Sequence, residues 1–256
     1  MRLNGDELVQ EWEDRVVLVT GASRGIGRAV ATRFAEAGAR VVGVYRSRME
    51  DANSLMRAVP SAPGSIAMWQ GDVADGAFAK ALVTEIVQQY GRLDVLVNNA
   101  GMSRDGPVGM MPDEDWQTVF ATNFRGAYHF SSAVVPHMLH QSDGAIVNVV
   151  SVSGVYGRAG QANYAASKGA IIGLTQLMAA KYAQAGIRIN AVAPGLIATD
   201  MLDALEQKQR NRFLAYTHLQ REGTVKEVAS TIEWLCQSVN SYLSGQVVPC
   251  DGGFMR

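Results

Sequence analysis

The sequence predicts a single α/β domain built on one doubly wound parallel sheet of about seven strands, with helices on both faces. Short, nearly continuous apolar runs alternate with longer segments of helical periodicity along the whole chain. This alternation is typical of right-handed βαβ units whose strands are covered on both faces. The chain shows no linker, internal repeat or low-complexity tract. Its 256 residues are therefore expected to form one domain.

The pattern places seven strands and six helices in order. The predicted strands are 16–20, 40–45, 65–70, 95–98, 145–150, 187–193 and 246–248. The predicted helices are 25–37, 49–59, 77–90, 113–140, 163–185 and 225–237. A polar, helix-prone stretch at 199–223 breaks the alternation and is expected to be a lid over a substrate site. Residues 1–14, which include Trp12, form an extension before the first strand.

Composition excludes several functional classes. The 23 Lys and Arg residues nearly balance the 24 Asp and Glu residues, so no global field favours nucleic acid or an anionic membrane. No run of about 18 apolar residues predicts a membrane span, and the polar N-terminus lacks the apolar core of a signal peptide. Cys236 and Cys250 are then expected to be reduced thiols in a cytoplasmic protein. The four histidines lack metal-ligand spacing, so no metal site is expected.

A glycine-rich turn connects the first strand with the first helix. Gly21, Gly25 and Gly27 would let the backbone turn sharply and approach a pyrophosphate, while the helix N-terminus supplies free N–H groups. In this position the cluster predicts a Rossmann-type dinucleotide site rather than a plain tight turn. The residues expected to bind there are Gly21, Ser23, Arg24, Gly25, Ile26 and Gly27.

The end of the second strand predicts which dinucleotide binds. An NAD site places a carboxylate there for the ribose hydroxyl, whereas a 2′-phosphate requires cations. The chain has Arg46 and Arg48, with no acid before Glu50, and Arg24 could reach the same phosphate. Guanidinium groups suit phosphate geometry, so the sequence predicts NADP(H). The alternative is that Arg46 and Arg48 are solvated loop residues.

Two further stretches suit a cofactor. Asp72 and Val73 follow the third strand, where a carboxylate could accept from an adenine amino group. The run Asn99, Ala100 and Gly101 ends the fourth strand, and its small residues would let a ring lie close to the backbone. Asparagines in such a place can also be simple turn formers.

Tyr164 and Lys168 lie four positions apart in the predicted helix 163–185. This spacing puts the phenol and the ammonium on one helix face. A cation close to the phenol would favour the phenolate and lower the pKa of Tyr164 towards the range of efficient acid–base catalysis. Alone, the pair is more often an ordinary exposed pair, and the surrounding motifs favour the catalytic interpretation.

Taken together, these residues resemble the classical short-chain dehydrogenase/reductase family over essentially the whole chain. The motifs that match are Thr20-Gly21-x-x-x-Gly25-x-Gly27, Asp72-Val73, Asn98-Asn99-Ala100-Gly101, Asn123, Ser151, Tyr164-x-x-x-Lys168 and Pro194-Gly195-x-x-x-Thr199. Within the family, the runs before Tyr164 and around Pro194 are similar to those of 3-oxoacyl-acyl-carrier-protein reductases.

The resemblance implies a catalytic set. Tyr164 would donate a proton to a carbonyl oxygen that Ser151 holds, and Ser153 is the less favoured choice for that serine. Lys168 would lower the pKa of Tyr164 and bind the nicotinamide ribose. Asn123 would anchor a water that connects Lys168 with solvent, or would be a buried asparagine that kinks its helix. Ile197 and Thr199 would bind the carboxamide end of the cofactor, and Pro194 and Gly195 are further residues implied to bind the cofactor.

The implied activity is NADPH-dependent reduction of a 3-oxoacyl thioester carried by acyl carrier protein or CoA, in a homotetramer. The basic residues common in carrier-dependent reductases are missing near 140–144 and 183–186. The candidates to replace them are Arg125, Arg158, Lys181 and Arg188. Two other functions stay open: reduction or oxidation of a non-thioester ketone or alcohol, and an inactive protein that senses the dinucleotide.

Overall fold

The computed structural model describes residues 11–59, 63–199 and 207–254. Seven parallel strands form one sheet in the order β3-β2-β1-β4-β5-β6-β7. The strands are β1 Val16–Thr20, β2 Arg40–Tyr45, β3 Ser65–Gln70, β4 Val95–Asn98, β5 Gly144–Val149, β6 Ile187–Pro194 and β7 Val247–Cys250. The predicted seven-stranded parallel sheet is confirmed, and the bounds of β1 to β4 are those that the apolar runs predict.

Helices cover both faces of this sheet. They are α1 Gly25–Glu36, α2 Met49–Ala58, α3 Gly76–Tyr90, α4 Asp113–Phe120, α5 Gly126–Gln141, α6 Val152–Tyr156, α7 Ala162–Tyr182, α8 Gln207–Leu214 and α9 Val225–Cys236. One buried apolar cluster joins α1, α2 and α9 to the sheet, and a second joins α3, α5 and α7 to its other face. The two clusters account for strands that are apolar on both sides.

The direction of the chain across the sheet reverses between β1 and β4. β1 pairs with β2 on one side and with β4 on the other. Hydrogen bonds join their carboxyl ends: Thr20 Oγ1 accepts from the backbone N–H groups of Asn99 and Ala100, at 3.0 Å each. The Asn99 amide donates to the carbonyl oxygens of Thr20 at 2.9 Å and Gly21 at 3.1 Å. Ligands bind at such reversal points in open α/β sheets, so the fold places a site here.

A buried polar network fixes β4, β5, α5 and α7 to one another. Asn98 donates to Ser131 at 3.0 Å and to the side chain of Asn148, its partner in the sheet register, at 2.8 Å. Asn148 in turn donates to Thr175 on α7 at 2.8 Å. Such networks define one packing arrangement, because an unpaired amide would be costly there.

The predicted helix 113–140 is two helices joined by a wider turn. Residues 121–125 form a π turn in which the Gly126 N–H donates to the Ala121 carbonyl. Asn123 lies in this turn and is buried. The burial of Asn123 in this turn agrees with one of its two interpretations, and the sequence pattern missed the added residue.

The two unusual segments of the sequence are partly described. Trp12, at the end of the N-terminal extension, is 3% exposed and packs edge-on against Phe34, with ring centroids 4.7 Å apart. Residues 1–10 of the extension and 200–206 of the predicted lid lie outside the described residues, and α8 forms the following part of that lid. In the described part of the chain, no helix is long and apolar enough to cross a membrane.

Candidate active site

A cleft of about 1030 Å³ lies over the carboxyl ends of the central strands. The predicted site residues that line it are Gly21, Ser23, Arg24, Gly25, Ile26, Arg46, Asp72, Val73, Asn99, Ala100, Gly101, Ser151, Tyr164, Lys168, Pro194, Gly195, Ile197 and Thr199. Gly27 and Asn123 do not line the cleft and act from behind it, as described below. The structure therefore brings nearly all of the predicted residues together.

The glycine turn has the geometry of a phosphate site. Gly21 and Gly25 adopt φ values of +66° and +55°, which side chains other than glycine rarely adopt. A Cβ at Gly27 would lie 2.3 Å from the Gly21 carbonyl oxygen, so the helix can approach the turn this closely only with glycine. No side chain caps the start of α1 at Arg24, and the first turn has no acid. The N-terminus of α1 can therefore bind an anion through free N–H groups.

Three arginines surround the part of the cleft beside β2. Arg24, Arg46 and Arg48 all line it. Arg46 Nη1 lies 3.8 Å from Asp72 Oδ2, and Arg48 Nη1 lies 3.5 Å from Asp51 Oδ2. Arg46 is exposed, with 58% of its side chain accessible, so its guanidinium can turn towards a phosphate. This arrangement supports a 2′-phosphate better than a bare ribose hydroxyl.

The opposite end of the cleft is formed by the chain after β6. Gly195 N–H donates to the Cys250 carbonyl at 3.1 Å, and Ile197 forms a bridge with Gly223. The Thr199 methyl group lies 3.6 Å from the Cβ position of Gly25, so the loop closes against the glycine turn. The residues implied for the carboxamide end thus run from the end of β6 to the start of α1.

The predicted catalytic side chains meet where α6 and α7 begin. Ser151 caps α6, and its hydroxyl oxygen accepts from the Ser153 N–H at 3.1 Å. The Ser151 hydroxyl also lies close enough to the Tyr164 phenol to act on its pKa. Lys168 follows Tyr164 by one turn of α7, and its Nζ lies 5.7 Å from the centroid of the Tyr164 ring. Ser151, Tyr164 and Lys168 all line the cleft.

In the protein alone, the pKa of Tyr164 is raised, whereas the sequence predicts that it is lowered. Burial raises the pKa of Tyr164, although the neighbouring Ser151 hydroxyl and the charge of Arg158 act in the opposite direction. Burial also lowers the pKa of Lys168 to about 8. The Lys168 ammonium donates to the Val149 carbonyl at 2.7 Å, and the lowering of the Tyr164 pKa by Lys168 stays a prediction.

Asn123 supports this group from behind. Its side-chain oxygen accepts from the Met102 N–H at 2.9 Å, and its amide donates to the Met102 carbonyl at 3.0 Å and to Ser167 at 2.9 Å. A Cβ added at Gly101 would lie 3.4 Å from Asn123 Oδ1 and 3.3 Å from Lys168 Nζ. Asn123 therefore connects the loop after β4 with α7 and lies close to Lys168.

The sequence analysis missed Gln161 and Asp105, and it considered Ser153 and Arg158 only in other roles. Ser153 donates to Gln161 at 2.9 Å, and Gln161 donates to Asp105 at 2.8 Å, which ties the loop after β4 to the start of α7. Arg158 lines the cleft with its guanidinium carbon 4.5 Å from the centroid of the Phe213 ring. These residues follow no motif spacing, and the signal available in the sequence was their position between Ser151 and Tyr164 or after Gly101.

Two of the arginines considered for carrier binding lie elsewhere, one at the end of a helix and one in the cleft. Arg188 donates to the carbonyl groups of Leu235 at 2.7 Å and Cys236 at 2.8 Å, and so caps the C-terminus of α9. Arg158 faces the cleft rather than the outer surface. Arg125 and Lys181 are exposed.

The comparisons with known proteins agree with this geometry. A family model described as short chain dehydrogenase matches residues 15–210. The chain belongs to this family. It is 44% identical over 243 residues to the "3-oxoacyl-[acyl-carrier-protein] reductase FabG" of Thermotoga maritima, which covers 95% of this chain and 98% of the relative. Proteins of the same name from Staphylococcus aureus and Vibrio cholerae are 41% and 39% identical, over 92% and 94% of this chain and 96% and 97% of the relatives.

As a short chain dehydrogenase, the chain is an oxidoreductase that works with a nicotinamide dinucleotide, and its residues fit that group. The turn at Gly21 is a cradle that a Cβ would fill, since the added carbon would lie 2.9 Å from Ala100 Cα. The buried Lys168 ammonium has one hydrogen bond, to Val149, and lines the cleft. Family membership together with Arg46 supports NADP(H) as the cofactor.

The low pKa of Lys168 predicts how the stability of the cofactor-free protein depends on pH. The folded-state pKa of about 8 lies below the ordinary lysine pKa of 10.5, so between these two values the unfolded chain binds more protons. Stability from this group therefore rises as the pH increases through 8 towards 10.5. Relative to Lys168→Met, the wild-type free energy of unfolding is expected to increase by about 2 kcal/mol between pH 7 and pH 10.

Urea unfolding of both proteins at each pH measures this difference. Lys181→Met, which changes an exposed lysine on the same helix, controls for removal of a lysine. A difference between wild type and Lys168→Met that stays constant over the pH range would show that Lys168 is protonated in the folded protein throughout.

Proposed function

We propose that the chain reduces a 3-oxoacyl thioester to the 3-hydroxyacyl thioester with NADPH. The observation that carries the proposal is the meeting of Ser151, Tyr164 and Lys168 in one cleft, which also contains the glycine turn and Arg46. The relatives support the substrate class, since those reported above are all named as 3-oxoacyl-[acyl-carrier-protein] reductases. Acyl carrier protein is therefore the preferred carrier, and a CoA thioester is the second candidate.

Each residue of the group has a distinct part in this proposal. When bound, the reduced nicotinamide supplies the hydride. Ser151 orients the carbonyl oxygen, and the Tyr164 hydroxyl donates the proton that this oxygen needs. Lys168 places a positive charge beside the phenol and favours the phenolate that remains. Asn123 holds the loop at Met102 against α7 and so keeps Lys168 in position.

Burial has a consequence for this chemistry. It raises the pKa of Tyr164 and keeps its proton in place until a substrate oxygen can accept it. Burial also excludes water, which strengthens the interaction between the phenol and nearby charges. The reaction thus depends on groups that are arranged before substrate enters, as electrostatic catalysis requires.

Two alternatives are weaker. A non-thioester ketone fits the same Ser151 and Tyr164 pair, but the relatives above do not share that substrate name. An inactive sensor would have no need to keep Ser151, Tyr164 and Lys168 together in the cleft.

Substrate turnover and its dependence on Tyr164 test the proposal directly. Wild type is expected to oxidise NADPH with acetoacetyl-acyl-carrier-protein and, more slowly, with acetoacetyl-CoA. Tyr164→Phe removes the proton donor and is expected to lower kcat about 100-fold or more. Initial rates followed by NADPH absorbance measure both effects.

Tyr182→Phe is the matched control, because this tyrosine lies on the same helix and does not line the cleft. It should leave kcat nearly unchanged. If Tyr164→Phe keeps more than about a tenth of wild-type turnover, the general-acid role is wrong. If wild type reduces neither thioester, the substrate assignment is wrong.

Arg46 is expected to favour NADPH over NADH. Its guanidinium would bind the 2′-phosphate, and loss of such a charged hydrogen bond costs about 1.5–3 kcal/mol. Arg46→Ala should lower kcat/KM for NADPH about 10-fold to 100-fold and change kcat/KM for NADH little. Arg57→Ala, an exposed arginine on α2 outside the cleft, is the control. Equal or higher kcat/KM with NADH in wild type would contradict the NADPH preference.

We also propose that the chain forms a homotetramer through α4, α5 and α7. Large apolar side chains on these helices are exposed in the single chain, with Tyr128 at 49% and Leu177 at 68%. Others on the same helices, such as Val135 and Met178, are buried against the sheet and cannot serve an interface. Light scattering is expected to give the mass of four chains, and the mass of one chain would reject the proposal.

A further inference from the structure

The cleft contains a charged side chain that the roles above leave unused. Arg158 lies in the loop between α6 and α7 and lines the cleft beside Tyr164. It is half-buried, and this burial lowers the pKa of its guanidinium, which the charges of Asp105 and Tyr164 counteract. Arg158 is therefore partly shielded from bulk water and lies near the reacting groups.

The guanidinium of Arg158 has donors to spare. It carries five N–H groups, yet none of the described residues accepts a hydrogen bond from it or forms an ion pair with it. A partly desolvated charge without hydrogen bonds is costly, so natural sites retain one where a ligand supplies the acceptor. A ligand that enters the cleft can supply this acceptor in place of solvent.

The guanidinium of Arg158 lies over an aromatic ring. Its carbon lies 4.5 Å from the centroid of Phe213. Phe213 itself stacks on Phe254 at 5.2 Å, and Phe254 stacks on Tyr156 at 6.0 Å. A cation–π contact uses none of the N–H donors, so these stay available to other partners. The aromatic side chains therefore hold the guanidinium beside the cleft.

We propose that Arg158 is a specificity-determining residue that donates to the thioester carbonyl oxygen of the substrate. This rests on the proposed function, in which Ser151 and Tyr164 hold the 3-oxo oxygen two carbons away. Arg158 is close enough to Tyr164 for its charge to lower the pKa of the phenol. Asp105, held by Gln161, lies near enough to offset the charge of Arg158, which favours a neutral carbonyl over a free carboxylate.

The proposal separates two classes of ketone. A substrate with a second carbonyl in the 1,3-relation uses Arg158, whereas a plain ketone leaves the guanidinium without an acceptor. An unpaired polar group in the site penalises the plain ketone, as sites built around a hydrogen bond reject analogues that lack it. Arg158 thereby accounts for a preference for 3-oxoacyl thioesters within a cleft whose Ser151 and Tyr164 would accept any ketone.

Kinetics of Arg158→Leu with acetoacetyl-CoA and with cyclohexanone, both with NADPH, test the proposal. The ratio of kcat/KM for the thioester to kcat/KM for the plain ketone should fall at least about 10-fold, because a charge-assisted hydrogen bond is lost from one substrate only. KM for acetoacetyl-CoA should rise, and KM for NADPH should stay near the wild-type value. Arg57→Leu, the same change on an exposed arginine outside the cleft, should leave the ratio unchanged.

Arg158→Lys separates charge from hydrogen-bond geometry. It keeps a cation near Tyr164, so the pH profile should match wild type while the thioester preference is still reduced. An unchanged ratio in Arg158→Leu would overturn the proposal, since it would mean that Arg158 acts on Tyr164 or on folding alone. Where wild type does not reduce cyclohexanone, a loss of kcat in Arg158→Leu without a rise in KM for acetoacetyl-CoA would overturn it. Wild type that fails to reduce the thioester removes the proposed function and this inference together.

Discussion

The hydrogen bonds between Thr20 and Asn99 are the constraint on which the site depends. They join the carboxyl ends of β1 and β4, the neighbouring strands at which the strand order of the sheet changes direction. Through Asn99 they also fix the Gly21 carbonyl, against which Gly27 of α1 packs with no room for a side chain. The start of α1, the phosphate end of the cleft and the loop after β4 are thus positioned by one set of contacts.

A second set of contacts positions the reacting groups from the opposite side of the sheet. Asn98 and Asn148 connect β4 and β5 with α5 and α7, below the cleft. Asn123 makes a similar connection nearer the cleft, between the loop at Met102 and Ser167 of α7. These three asparagines are buried and their side-chain N–H groups donate hydrogen bonds, although Asn98 Oδ1 has no partner among the described residues. The contacts hold α7, with Tyr164 and Lys168, against the sheet.

Hydrophobic periodicity and motif spacing were sufficient to predict the sheet and most of the lining of the cleft. The bounds of β1 to β4 follow directly from their apolar runs. The turn after β1 has positive φ angles at Gly21 and Gly25, which glycine readily adopts. Features that depend on packing could not be predicted. The pKa of Tyr164 is decided by how deeply α7 is buried, and the stacking of Arg158 on Phe213 joins residues 55 positions apart in the chain.

The Lys168 ammonium shows why the electrostatics of the site cannot be derived from helix spacing alone. The four-residue spacing does place it on the same face as Tyr164. Desolvation, however, lowers the pKa of the ammonium to about 8 while it raises that of the phenol. In the protein alone, the pKa of Tyr164 is therefore higher and the pKa of Lys168 is lower than in water. Contacts with a ligand in the cleft would have to change both values.

The π turn at 121–125 has a consequence for the phase of the helices on either side of it. An α-helix advances about 100° per residue, so one extra residue in a regular helix would rotate every later position by about that angle relative to the earlier ones. Counted along the sequence, the buried stripes of α4 and α5 are consequently out of phase, although the two helices follow each other without a loop. The wider turn absorbs the extra residue, so a deletion of one residue here would give a regular helix and leave the Phe130 and Val134 stripe of α5 against the sheet. What the extra residue contributes is therefore the turn that holds Asn123, not the direction in which α5 faces.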